Sequence, residues 1–98
     1  MTAYLIARAS ISDPEGYATY TVDVPAVVAR YGGRFLARGG RTVSLEGPAF
    51  DGRLVIIEFP DLDTAESFYA SDDYQALKRR RDPFATVEFI AVDGVHQV

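Results

Sequence analysis

The sequence predicts an α+β domain with the element order β-α-β-β-α-β, and three observations lead to it. Four segments alternate their side chains with the period of two that sends successive residues to opposite faces of a strand. Two longer stretches between them repeat apolar residues at spacings of three and four, the mark of one buried helix face. Glycine, proline and aspartate punctuate the joints and are absent from the strand interiors.

The first strand is Ala3–Ile11, and Ser12-Asp13-Pro14 stops it. Asp13 is a good N-cap, and Pro14 suits the first helical position because its missing N–H would have no partner there. The first helix runs to about Arg30, with Tyr17, Tyr20, Val24, Val27, Val28 and Tyr31 on its inner face. Pro25 is expected to kink it near Asp23-Val24 or to start a fresh turn there. Gly32-Gly33 ends it.

The second strand is Arg34–Arg38. Gly39-Gly40 permits a bulge or bend, after which Thr42–Glu46 is expected to continue the same edge. Residues 47–52 carry turn chemistry, and Leu54–Phe59 returns antiparallel to Pro60. Asp61 or Asp63 caps the second helix, the latter with Glu66 completing a capping box. Ser71-Asp72-Asp73 reads as a break with a new cap, and the last helical piece reaches Arg81. After Asp82-Pro83 the fourth strand spans Phe84–Val92, followed by the Asp93-Gly94 turn and a short tail.

Right-handed β-α-β crossovers place both helices on one face of a four-stranded antiparallel sheet, the ferredoxin-like arrangement, as one domain over residues 1–98. Under the helices lie Leu5, Ala7, Ala9, Phe35, Ala37, Val55, Ile57, Phe59, Val87, Phe89 and Ala91. By strict alternation the other face carries Tyr4, Ile6, Arg8, Arg34, Leu36, Arg38, Leu54, Ile56, Glu58, Thr86, Glu88, Ile90 and Val92. Nothing in one chain covers those aliphatics, so a homodimer through the sheet face is expected. Charges held between two sheets must pair with each other or meet an anionic ligand.

Composition narrows the function classes. The 98 residues carry 14 acids against 10 bases, a net charge of −4, which argues against nucleic acid or an anionic membrane as partner. The basic run Lys78–Arg81 closes a predicted helix, where cations complement the helix dipole. The chain has no cysteine, which excludes disulfides and thiolate chemistry. Its one histidine, His96, stands near the end, so no metal or haem is expected and no cofactor is implied. No apolar run approaches the ~20 residues of a membrane span. Met1-Thr2-Ala3 enters the first strand without a basic segment, so no signal peptide and a cytoplasmic location are expected.

Arg38 and Glu58 are the leading site candidates. Predicted neighbours on the open face, they pair in this reading, with Arg38 holding a carboxylate or enolate oxygen and Glu58 acting as general base. The competing reading is a structural ion pair that holds strand register. Arg8, Arg34 and Glu88 extend the cluster, and Tyr20 and Tyr31 stand at a pocket mouth between the first helix and the sheet. The glycines make no phosphate-binding fingerprint, and no serine sits in a nucleophile-elbow context.

Several runs also carry a family resemblance: Ala3-Tyr4-Leu5-Ile6-Ala7-Arg8, Asp13-Pro14-Glu15-Gly16-Tyr17, the block Arg30-Tyr31-Gly32-Gly33-Arg34-Phe35-Leu36-Ala37-Arg38-Gly39-Gly40, Glu46-Gly47, Ile57-Glu58-Phe59-Pro60, and Phe68-Tyr69 with Tyr74-Gln75. Across nearly its whole length the chain resembles the family known as domain of unknown function 1330. That resemblance implies membership of the dimeric α/β-barrel superfamily. Relatives there include cofactor-independent monooxygenases of the antibiotic-biosynthesis type, muconolactone-isomerase-like proteins and chlorite-dismutase-like haem proteins. The family has no established reaction, so the resemblance brings no catalytic residues. Two functional readings follow. One is a small-molecule-binding protein, as a cofactor-independent enzyme (monooxygenase- or isomerase-like) abstracting a proton from a small acidic or phenolic substrate. The other is a non-catalytic stress-type or interaction module whose charged cluster is structural.

Overall fold

Alternation in the first strand is borne out side chain by side chain in the computed structural model, which describes residues 2–95. In β1 (Ala3–Ile11), Ala3, Leu5, Ala7 and Ala9 are buried while Tyr4 and Ile6 are half-buried and Arg8 is exposed. Helices α1 (Pro14–Thr21) and α2 (Val24–Arg30) follow, then β2 (Arg34–Arg38), β3 (Arg53–Phe59), α3 (Leu62–Ala70), α4 (Asp72–Arg81), a 3-10 turn (Asp82–Phe84) and β4 (Ala85–Asp93). The sheet has the order β2-β3-β1-β4 and is antiparallel throughout. This is the α+β, ferredoxin-like fold expected from the sequence.

Local chemistry explains the joints. The Asp13 carboxylate accepts from the Gly16 N–H at 3.2 Å. Asp61 caps α3, accepting from Thr64 N–H at 2.7 Å, so Asp61 and not Asp63 is the cap. Ser71 ends α3 and caps α4, accepting from Tyr74 N–H at 3.1 Å. Pro25 breaks the first helix outright, leaving Val22-Asp23 between α1 and α2. Having no N–H, it cannot bond back to the Thr21 carbonyl four residues earlier.

The helices bury one face of the sheet. Tyr20, Val24, Val28, Phe68, Tyr74 and Leu77 from the helices meet Leu5, Ala9, Ile57 and Phe59 from the strands in one core. The opposite face has no covering layer among the described residues. Across it Arg34, Glu58, Tyr4 and Val92 form one row, and Ala37, Ile56, Ile6 and Ile90 the next. Ile90 and Val92 are 58% and 47% exposed.

Strand β2 departs from strict alternation. Phe35 pairs with Ile57, yet Ala37 pairs with Ile56 and Arg38 with Val55, so Leu36 is an extra residue in a β-bulge. The slip reverses every side chain after it. Ala37, expected under the helices, lies on the open face, and Arg38, expected on the open face, turns toward the helices beside Val55.

The segment expected to extend this edge, Thr42–Glu46, is not a strand: no regular element is formed from Gly39 to Gly52. A strand needs a neighbour's backbone, and β3 begins only at Arg53. The last tie is Gly39 N–H to Leu54 C=O at 2.9 Å, and Gly39, at φ +71°, turns the chain away. The arm returns with Phe50 stacked under the Arg8 guanidinium, 4.9 Å from the ring centre.

At the foot of the arm Gly52 lies so close to β1 that a Cβ there would come 2.3 Å from the Ala9 carbonyl oxygen, whereas one at Gly40 would meet nothing within 4 Å. Gly52→Ala should therefore destabilise the fold by about 1–3 kcal/mol, as overpacking against a backbone does. Gly40→Ala should be neutral within about 0.5 kcal/mol. Urea unfolding of the two variants checks this, and equal stabilities would contradict the packing.

Candidate functional site

The bulge divides the expected site residues between the two faces of the sheet. On the open face Glu58 pairs with Arg34, not with Arg38: Arg34 Nε donates to Oε1 at 3.1 Å and Nη2 to Oε2 at 3.3 Å. The Arg34 side chain is 71% exposed, so the pair is worth at most about 1 kcal/mol and serves mainly to fix strand register. Arg8 faces Glu88 across β1 and β4, with Phe50 below it. Tyr31 packs its ring edge-on against Phe68, 6.1 Å between centres, and lines neither of the helix-side openings described next.

The helix side holds a different group. Tyr17 and Tyr20 are buried on α1, and Tyr74 and Arg81 are buried on α4. The hydroxyls of Tyr20 and Tyr74 share a buried hydrogen bond of 2.7 Å. Arg81, only 3% exposed, lies between aromatic rings, 5.7 Å from the centre of Tyr20 and 5.5 Å from that of Phe89. Arg53, the first residue of β3, approaches the Tyr17 ring at 5.9 Å, and its Nε is buried without a hydrogen-bond partner. Arg38 completes the set. Its Nη2 donates to the Thr21 carbonyl at 2.8 Å, and its guanidinium lies 4.6 Å over the Phe35 ring. That carbonyl is the one Pro25 leaves without a helical donor. Proline and bulge together thus fix the arginine at the C-terminal end of α1, where a cation also complements the helix dipole.

All of these residues but Arg81 line a small cavity of about 30 Å³, room for one water molecule. Arg38, Arg53, Thr21, Tyr17, Tyr20 and Tyr74 supply its polar groups, and no carboxylate of the described residues lines it. Its wall of Val87 and Phe89 is shared with a larger, more open cleft of about 590 Å³ between α3, α4 and β4. Glu66, Tyr69, Lys78, Arg81 and Asp82 rim that cleft, which is within the size range of small-molecule sites. The described residues contain no group of three or more histidine, cysteine or acidic side chains placed to hold a metal ion, and none of their helices is long and apolar enough to cross a membrane. His96 lies outside the described residues.

The profile of a family called domain of unknown function, DUF1330, matches residues 2–95. The chain belongs to the DUF1330 family. Among solved structures, this DUF1330 chain is similar to a protein of unknown function from Rhodopseudomonas palustris, with a TM-score of 0.74, 19% identity, and coverage of 98% of this chain and 84% of that one. It is also similar to SnoaB, a cofactor-independent oxygenase from Streptomyces nogalater, with a TM-score of 0.69 and 15% identity over 99% and 96% of the two chains. A dimeric protein of unknown function with a ferredoxin-like fold, from Bacteroides fragilis, gives a TM-score of 0.58 at 11% identity over 95% and 96%. These likenesses show the fold. No curated protein matches.

Three residues lining the small cavity, Tyr17, Arg53 and Tyr74, were not expected from the sequence, nor was the buried Arg81, which rims the larger cleft. Signals for them existed. Tyr74, Leu77 and Arg81 are spaced three and four apart, which places the arginine on the buried stripe of α4 and not merely at its charged end. Arg53 precedes Val55 and Ile57 by two and four residues, on the helix side of β3.

Burial pushes the pKa of Tyr17 upward against the lowering pull of Arg53, Arg81 and Arg38. It likewise raises Tyr20 and, furthest, Tyr74, so these phenols stay protonated and act as hydrogen-bond donors. Each is held above the ordinary value of 10.0, so its contribution to stability is complete below that pH and is lost as pH rises. The unfolded chain releases phenolic protons that the folded chain retains. Stability from urea unfolding should accordingly fall between about pH 9 and pH 11, while tyrosinate absorbance of the folded protein lags behind that of the unfolded chain. A flat profile with all six tyrosines titrating together would contradict the burial.

Proposed function

We propose that this protein is a homodimer that binds a small organic anion, a carboxylate or phenolate, at the helix side of its sheet. The observation that carries the proposal is the pairing of Arg38 and Arg53 in a cavity lined by tyrosines and no acid, with the Arg53 Nε buried and unsatisfied. A buried donor left unpaired costs about 1–3 kcal/mol, and a guanidinium recovers this best from a carboxylate or phenolate oxygen. The small cavity has room for one oxygen of the anionic head group, in the place of a water. The body of the ligand lies at its mouth, beside Thr21 and Arg38.

Cofactor-free chemistry remains within this reading, and likeness to a cofactor-independent oxygenase supports it at the level of the fold. Arg38 and Arg53 would stabilise an enolate or phenolate oxygen. Glu58 cannot act as base at that point from within the same chain, because it lies on the opposite face of the sheet and is engaged by Arg34. Tyr17, Tyr20 and Tyr74 are donors, so abstraction of a proton requires a base from outside the cavity lining. Binding is therefore the primary assignment. The non-catalytic reading keeps one specific support, since the Arg34–Glu58 pair on the open face is a register pair.

Dimerisation through the open face is supported by the bare Ile90 and Val92 beside Ile6 and Ile56, and by a dimeric protein of the same fold. Wild-type protein should sediment as a dimer at micromolar concentration and Ile90→Asp as a monomer. A monomeric wild type would overturn the interface.

For the ligand, calorimetry should detect benzoate or 4-hydroxybenzoate binding to wild type and no binding of the neutral isostere benzamide. Arg38→Met with Arg53→Met should abolish the signal, Glu58→Gln should leave it unchanged, and all variants should stay folded. Equal affinity for benzamide, or undiminished benzoate binding by the arginine variant, would refute the site.

A further inference from the structure

The larger helix-side cleft has a composition that the anion cavity does not explain. Helices α3 and α4 leave the outer strand of the sheet incompletely covered, so Val87, Phe89 and Ala91, on the helix side of β4, are only half-buried. They floor a trough of about 590 Å³, walled by Ala65 and Tyr69 from α3 and by Arg81 from α4. Tyr69 stands edge-on to Phe89, with 5.3 Å between ring centres. The trough lies on the helix side, away from the sheet face proposed for dimerisation.

Chain direction gives the trough two unlike ends. Helix α3 begins just after Phe59, which pairs with Ala3, and Ala3 in turn pairs with Asp93 at the far end of β4. Helix α4 ends just before the turn into Ala85, which pairs with Ile11. From Ala85 to Ala91 the floor runs about 20 Å, at the ~3.3 Å rise per residue of a strand. At the Ala85 end stand Lys78, Arg81 and Asp82. Lys78 is taken up by Asp82 at 3.0 Å. Arg81 reaches Asp82 only at 3.4 Å and keeps its Nε buried without a hydrogen-bond partner among the described residues. One helical turn before Tyr69, toward Ala91, stands Glu66, which makes no ion pair among the described residues. One cation and one carboxylate are thus left unbalanced along an apolar floor.

We propose that this trough is a second ligand site, separate from the small cavity, and that it takes an elongated amino acid with a carboxylate at one end, an ammonium at the other and an apolar middle. Arg81 receives the carboxylate, and its unused Nε–H gains a charge-assisted hydrogen bond. Glu66 receives the ammonium. The middle lies on Val87 and Phe89, against the ring of Tyr69. A simple anion would leave Glu66 unmatched, and a simple cation would leave Arg81 unmatched. The small cavity has no carboxylate among its described lining residues and offers an ammonium nothing. The two sites therefore sort ligands by charge pattern.

Calorimetry and NMR on the full-length protein test this, with 4-(aminomethyl)phenylacetate as the probe. The controls 4-methylphenylacetate and 4-methylbenzylamine each lack one of its charges. Arg38→Met with Arg53→Met removes the cations of the small cavity and should bind the probe as wild type does. In that variant the probe should bind about fivefold or more tightly than either control. Glu66→Lys, at an exposed position, should weaken the probe by about tenfold or more and leave benzoate binding as it is. In wild-type spectra the Arg81 Nε–H signal should shift saturably with the probe while that of Arg53 stays in place. Absence of probe binding, undiminished affinity in Glu66→Lys, or an Arg81 signal that does not move would overturn the site. So would loss of probe binding with Arg38 and Arg53, which would put the molecule in the small cavity. If benzoate fails to bind while the probe behaves as stated, the anion cavity falls and this site stands.

Discussion

The extra residue in β2 is the constraint on which the site depends. Without Leu36 bulged out of register, Arg38 would join Arg34 and Glu58 on the open face, and the cavity under α1 would hold a single arginine at its sheet side. With it, the strand places a guanidinium on each face within five residues. Pro25 makes that arrangement durable. By withholding an N–H from the Thr21 carbonyl it leaves an acceptor at the end of α1, and Arg38 takes it. A backbone irregularity in a strand and another in a helix thus meet at one hydrogen bond.

The two faces consequently have different chemistry. On the open face Arg34 is paired with Glu58, and Arg8 lies over the Phe50 ring. On the helix side cations outnumber acids around the tyrosines. Arg80 is drawn off to Asp23 at 2.6 Å, and Lys78 to Asp82 at 3.0 Å. Arg81 touches Asp82 only at 3.4 Å and otherwise rests against aromatic rings. Among the described residues, Arg38 and Arg53 meet no carboxylate. The positive character of the cavity is therefore local, in a chain whose net charge is −4. Net charge describes encounters with extended polyanions and says little about the local composition of one site.

Element order, caps and the two-sided sheet were legible because each depends on residues within a few positions: Asp13 before Pro14, Asp61 before Thr64, the alternation of β1. The bulge was not legible. A period of two carries no record of an inserted residue, and the glycine pair that marked a bend follows the slip by a few positions. The pairing of Arg38 with Glu58 failed for that reason alone, since both residues lie on the strands expected. Arg81 was masked by its company, as three of the four cations in Lys78–Arg81 serve the helix end and its surface while the fourth is buried. In the arm, Thr42–Glu46 alternates as a strand does but forms none, because it makes no backbone hydrogen bond to a neighbouring strand among the described residues.

The account stands most directly on the Arg53 Nε–H, a buried donor that no protein atom among the described residues receives. At 10.8 kDa per chain, the protein is small enough for its arginine Nε–H resonances to be followed individually by NMR. On titration with benzoate, the Arg53 Nε–H signal should move downfield saturably and its exchange with water should slow. The Arg34 signal, already committed to Glu58, should stay in place. An Arg53 resonance that remains fixed while benzoate binds, or one that moves no more than Arg34, would contradict the assignment of this cavity as the anion site.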